Sequence, residues 1–229
     1  MSRLNSNFES VQQRVADAAI KSGRTADDVT LIGVTKYVDV ETTRALFEAG
    51  CVNLGESRPQ VLWEKSAKLD GLPICWHMIG HLQRNKMKRT INCCSLIHSG
   101  DSNRLMTGIN KEAESRESPA RVLLEVNVSG EESKYGYSES DLPDVLDLLI
   151  DLPNVKVDGL MCMAGLAGND DDARREFAKL RSIRDKYASN CPDNVELKEL
   201  SMGMSGDFEI AIEEGATMVR VGSLLFAGV

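Results

Sequence analysis

The sequence predicts a single α/β domain closed as a (β/α)8 TIM barrel. Short apolar runs alternate with longer amphipathic ones throughout, eight strand-like runs can be counted, and no linker or low-complexity tract divides the 229 residues. A βα repeat implies a parallel sheet, and eight units imply closure. A doubly wound open sheet is the competing arrangement. The barrel is favoured because its eight units use nearly all of the chain.

An extra helix precedes the repeat at residues 7–22, where Phe8, Val11, Val15, Ala18 and Ala19 form a stripe at helical spacing and Gly23 can end it. VTLIGVTK is a continuous apolar run, the pattern of a strand buried on both faces. DVETTRALFEAG reads as a helix capped by Asp39 and ended at Gly50. The alternation continues with strand CVNLG, helix RPQVLWEKSAKL, strand ICWHMIG, helix QRNKMKRTI and strand CCSLIHS. Next come helix SNRLMTGINKEAESR, strand RVLLEVNVS, helix DLPDVLDLLIDL and strand VKVDGLMCM. The charged loop GNDDDARRE leads into helix DDARREFAKLRSIRDKYA, strand VELKELSMG, helix GDFEIAIEEG and strand TMVRVGSLLF.

Composition excludes several classes. The net charge is −8, and no Lys/Arg run interleaves with aromatics, so neither nucleic acid nor an anionic membrane is an expected partner. The N-terminus has no signal-peptide pattern, and no stretch reaches the roughly 18 to 20 apolar residues of a membrane span. A cytoplasmic location is the expectation. The six cysteines form no CxxC and sit mostly in apolar runs, which reads as free thiols. His77 and His81 are four residues apart, but the strand-like WHMIG between them argues against a helical zinc pair; no metal is expected.

Barrel chemistry gathers where strands end and βα loops begin. That rule selects Lys36, Asn53, His77, His98, Asn127, Met161, Ser201 and Arg220. Lys36 closes LIGVTK, where lost hydration would favour the neutral amine that attacks aldehydes; a snorkelling surface lysine would look the same. Met204, Ser205 and Gly206 open the last helix, and Gly222 and Ser223 follow the last strand, the usual place of a barrel phosphate site. A plain helix cap at Ser205 is the alternative. Arg220 interrupts the apolar TMVRVG, so it needs an anion, a ring nitrogen or carbonyls for its donors, or else an ion pair with Glu199 or Asp207.

Taken together, VTKY around Lys36, NLGES at 53–57, WHMIGHLQRNK at 76–86, NVSGEESKYGY at 127–137, GLMCMAG at 159–165 and the segment 201–226 resemble the pyridoxal phosphate homeostasis family, single-domain relatives of the alanine racemase barrel. The resemblance implies a fold-type III barrel binding pyridoxal 5'-phosphate (PLP), with Lys36 as the Schiff-base lysine. Ser205, Gly222, Ser223 and the backbone at Met204 would hold the phosphate, and Arg220 would face the pyridine nitrogen. Asn53, His81 and Ser201 would lie at or near the pocket. Two departures stand out: Ser57 replaces the Asn usual after Gly-Glu, and the chain ends FAGV where relatives continue with a charged residue.

An arginine at the pyridine nitrogen keeps that nitrogen unprotonated and weakens the ring as an electron sink. Racemases of this class add a second domain carrying the opposite acid/base, for which no residues remain here. The reading is therefore storage or delivery of PLP by a monomer, with apo-enzymes as exchange partners and no dedicated turnover. A slow amino-acid racemase and a barrel for another phosphate-bearing metabolite are the alternatives.

Overall fold

The computed structural model describes residues 2–131, 135–165 and 169–229. Residues 132–134 of NVSGEESKYGY and residue 168 of GNDDDARRE lie outside them. Eight parallel strands close in sequence order: β1 Thr30–Val34, β2 Asn53–Glu56, β3 Cys75–Met78, β4 Leu96–Gly100, β5 Ala120–Glu125, β6 Val155–Met161, β7 Val195–Ser201 and β8 Met218–Val221. The open-sheet alternative is thereby excluded.

The helices are α1 Arg3–Lys21, α2 Val40–Glu48, α3 Pro59–Lys68, α4 Met87–Ile91, α5 Asn103–Ala113, α6 Leu142–Ile150, α7 Asp170–Tyr187 and α8 Phe208–Glu213. α1 starts four residues before the apolar stripe implies, because the Ser2 hydroxyl caps it through the Asn5 amide at 3.2 Å. It lies against α8, tied by a two-pronged Arg14–Glu209 contact at 2.7 and 2.8 Å. Asp39 caps α2 by accepting from the Thr42 amide at 2.8 Å, and Gly50 beyond it takes φ +108°, where a side chain would be strained.

Most of the core lies between barrel and helices, with Leu46, Leu62, Met106, Phe177 and Phe208 fully enclosed. Inside the barrel a separate cluster of Ile32, Leu96, Leu123, Met161 and Met218 fills one layer. Strand side chains alternate faces, so residues two positions from these also turn inward. By that rule His98, Glu125 and Arg220 follow Leu96, Leu123 and Met218 toward the C-terminal mouth. Register shifts between β5 and β6 and between β6 and β7 adjust the closure. Gly159 is required there, since a Cβ would stand 2.0 Å from the Glu199 carbonyl oxygen.

Candidate functional site

At the C-terminal end of the strands a cavity of about 750 Å³ is lined by Lys36, Ser57, His81, Glu125, Tyr135, Met204, Ser205, Gly206, Arg220, Gly222 and Ser223, among others. That volume suits a small organic ligand. Lys36 stands two residues past the end of β1 and is half-buried, so the dehydration expected of a strand-end lysine is partial. Its Nζ lies 5.0 Å from the ring centroid of the exposed Tyr37.

Beside the lysine, the loops after β7 and β8 form a rim, β8 pairing directly with β1 as the barrel closes. Gly203 makes the first turn with φ +89°, and a Cβ there would meet Ala211 Cβ at 2.5 Å. Two amides expected to face an anion are already committed. Met204 N–H donates to Asp207 Oδ1 at 2.6 Å, and Gly222 N–H donates to Ser205 Oγ at 3.1 Å. The amides of Ser205, Gly206 and Ser223 have no intramolecular acceptor among the described residues. Nothing lies within 4 Å of where a Gly206 Cβ would be, so a ligand can approach that backbone closely. Of the phosphate set implied by the resemblance, the Met204 and Gly222 amides thus already have side-chain acceptors, and the Gly206 amide stands open beside them. The last helix begins at Phe208, not at 206, and has six residues, so the loop amides and not a long helix dipole carry the anion argument.

Arg220 is buried at 5% exposure. It makes neither of the ion pairs considered from sequence: Nη1 donates to Ser201 Oγ at 2.5 Å and Nη2 to the Cys162 carbonyl at 2.9 Å. Burial pulls its pKa below the ordinary value, opposed by the charges of Cys162, Glu125 and Asp207. Its remaining N–H donors are available to a ligand in the cavity.

Behind Arg220 runs a polar chain down the barrel axis. Ser201 Oγ lies 2.9 Å from His98 Nδ1, His98 Nε2 lies 3.0 Å from His77 Nδ1, and His77 Nε2 lies 3.1 Å from Asn53 Oδ1. Donor and acceptor counting gives it one direction. Asn53 Oδ1 can only accept, so His77 carries its proton on Nε2 and accepts at Nδ1 from His98 Nε2–H. His98 Nδ1 then accepts from the Ser201 hydroxyl, which accepts from Arg220. Burial, followed by the charge of Arg121, holds His77 down at about 4. Burial, then His77 and Arg220, depresses His98 well below its ordinary value. Both rings are therefore neutral near pH 7.

This chain relocates several sequence candidates. Asn53 starts β2 rather than ending it, so it stands at the N-terminal end of the barrel beside Phe8, Gln12 and Asp27, not at the cavity. Ser201 is bonded to Arg220, and His77 and His98 are interior. Asn127 organises its own loop, accepting from the Gly130 amide at 3.0 Å, and Met161 belongs to the interior apolar layer. His81 does line the cavity; its Nδ1 lies 2.7 Å from Asp101 Oδ2, and its ring stacks on Tyr135 at 4.5 Å.

Sequence reasoning missed Glu125. It is buried at the end of β5, and its pKa is pushed up to about 7, by burial first and the Asp101 charge second, with Arg220 and His81 opposing. The signal was present, because Glu125 interrupts the apolar VLLEVNV just as Arg220 interrupts TMVRVG.

The fold and site define a class: a closed α/β barrel whose mouth sets one lysine against a rim of free amides and a buried arginine. Residues 3–228 match the family described as "Alanine racemase, N-terminal domain". A curated relative from Aquifex aeolicus, named pyridoxal phosphate homeostasis protein, is 43% identical, covering 94% of each chain. The crystallised PipY of Synechococcus elongatus PCC7942 with PLP bound is 30% identical with a TM-score of 0.86, covering 98% of this chain and 100% of that one. An alanine racemase from Clostridium difficile 630 shares the fold at 15% identity and TM-score 0.76, with 99% of this chain but 56% of that one covered. The chain belongs to the pyridoxal phosphate homeostasis protein family. Among the described residues no helix is long and apolar enough to cross a membrane.

Proposed function

We propose that this chain binds PLP through Lys36, as a Schiff base, and holds it for storage and delivery without a dedicated turnover. The observation that carries the reading is convergence. Lys36, the free amides of Ser205, Gly206 and Ser223, and the unspent donors of Arg220 face one cavity of about 750 Å³. A phosphorylated aromatic aldehyde matches that set: a primary amine, an anion rim and a fixed donor for a ring acceptor. When bound, PLP supplies an aldehyde that condenses with a primary amine, losing water, and a ring that withdraws electrons. Ser205 can donate its hydroxyl to the phosphate, while the axis chain holds Arg220 in one orientation. PLP-dependent apo-enzymes are the exchange partners, and the working unit is a monomer in the cytoplasm.

Borohydride treatment after PLP loading should leave a pyridoxyl group on the peptide containing Lys36, and Lys36→Ala should abolish it. Recovery of unmodified Lys36 from the loaded wild-type protein would reject the reading. Glu125 favours a second reading, a slow α-carbon enzyme, because it places a carboxyl with a pKa of about 7 in the same cavity as Lys36. That reading requires solvent deuterium exchange at Cα of amino acids faster than with free PLP, and its loss in Glu125→Gln.

A further inference from the structure

Behind Lys36 lies an ion pair that no cavity chemistry uses. Lys65 reaches from α3 and Glu56 from the end of β2, with side chains 3% and 0% exposed and Nζ 2.6 Å from Oε1. Lys65 Nζ also donates to the Thr35 carbonyl at 2.7 Å, and the buried Thr35 hydroxyl donates to the same Glu56 oxygen at 2.7 Å. The Thr35 amide is held by the Gly55 carbonyl at 3.0 Å, and exposed Arg58 donates to the Lys36 carbonyl at 3.1 Å. Glu56 Oε2 is buried with no hydrogen-bond partner.

As a source of stability this arrangement is poor. A buried ion pair is commonly matched or exceeded by apolar residues of similar volume, and an unpartnered buried carboxylate oxygen adds a further cost. Its location offers a better account. The Thr35 carbonyl belongs to the peptide plane that ends at the Lys36 nitrogen, so its orientation sets the direction in which the Lys36 side chain leaves the barrel. Three parts of the fold converge on that one plane: the loop leaving β1 through Thr35, β2 through Glu56 and α3 through Lys65.

We propose that the buried Lys65–Glu56 pair, with Thr35 as its contact, is a positioning device that aims Lys36 at the cavity. The proposal rests on Lys36 being the amine that captures an aldehyde. Lys65 and Glu56 touch no ligand; they act through the Thr35–Lys36 backbone.

The test is Lys65→Met/Glu56→Met, which removes both charges together and leaves no buried ion alone. Three quantities are measured: the thermal midpoint, the rate of PLP capture at Lys36 followed by absorbance and borohydride mapping, and the affinity for 4'-deoxypyridoxine 5'-phosphate, which has the phosphate and ring but no aldehyde. A merely structural pair would change the midpoint and leave the capture rate alone. A positioning pair leaves the midpoint equal or higher and the probe affinity within about two-fold, while capture slows about ten-fold or more. Equal capture rates, or loss of probe affinity in parallel with capture, overturn the proposal. Should the double variant not fold, exposed Arg58→Met decides the matter: capture slowed about two- to three-fold supports backbone aiming, and unchanged capture ends it. Absence of any wild-type adduct is a different failure, that of the PLP reading itself.

Discussion

Along the barrel axis, Arg220, Ser201, His98, His77 and Asn53 hand hydrogen bonds down in one direction, and both imidazoles are held neutral. At the mouth, Glu125 at the end of β5 shares its surroundings with Asp101, His81 and Arg220 and is poised to change charge near pH 7. One barrel thus contains a polar region that is locked and another that responds to its surroundings. The difference lies in pairing. An axis group has a protein partner on each side, whereas Glu125 opens onto the cavity. Fixed pairing keeps Arg220 in place, and open pairing leaves the mouth free to adapt to a ligand.

The largest effect should come from breaking the locked region in its middle. His98→Leu keeps roughly the volume but strands the Ser201 hydroxyl and His77 Nδ1 in the interior. Each unsatisfied group costs about 1–3 kcal/mol, so stability should fall by roughly 4 kcal/mol in denaturant unfolding. A loss below about 1 kcal/mol would mean that water or a neighbour readily replaces the imidazole, and the axis is not locked.

Next comes the responsive region. Glu125 has an ordinary value of 4.5 and about 7 in the folded chain, so the folded state binds its proton more tightly. Its contribution to stability is present below about pH 4.5 and is lost as pH rises through about 7. The gap between those values corresponds to at most about 3 kcal/mol. Glu125→Gln, neutral at every pH, should be more stable than wild type at pH 8 by up to about 3 kcal/mol, with the difference closing near pH 5. Parallel stability curves across this window would remove the contrast between mouth and axis.

Asn53→Ala should cost less, about 1 kcal/mol, because Asn53 is half-buried beside the groove at the barrel base, where water can accept from His77 Nε2–H. Thermal melts of Asn53→Ala and His98→Leu side by side would show whether the axis is tighter at its centre than at its end.

The same contrast marks what the sequence could disclose. Strands buried on both faces are apolar throughout, so each interruption is conspicuous, and Arg220 and Lys36 were legible on that ground. The rim was legible in part: Ser205, Gly222 and Ser223 stand out in a glycine-rich segment, but only coordinates reveal that the Met204 amide is spent on Asp207. Asn53 was misplaced because reading β2 as 51–55 makes it a strand end, whereas the strand is Asn53–Glu56. Lys65 was invisible for a different reason. In RPQVLWEKSAKL it falls on the face of Leu62 and Leu69, but its charge argues for solvent, and its burial follows from a carboxylate on another element. The His77–His98 contact spans 21 residues and exists only once β3 and β4 lie side by side in the barrel.

The smallest predicted effect is the sharpest probe of the mouth. Asp101 carries a side chain only 5% exposed and is bound to His81, and its charge is the second cause, after burial, of the raised Glu125 pKa. Asp101→Asn removes that charge at nearly constant shape. The Glu125 midpoint should therefore move down toward the ordinary carboxylate value without reaching it, because burial, the larger cause, is untouched. The stability lost on raising pH through neutrality should shrink in step. A carbon-13 carboxyl titration of both proteins reads the midpoint directly. An unmoved midpoint would mean that Glu125 feels burial alone, and that the acidic groups of the mouth titrate independently of one another.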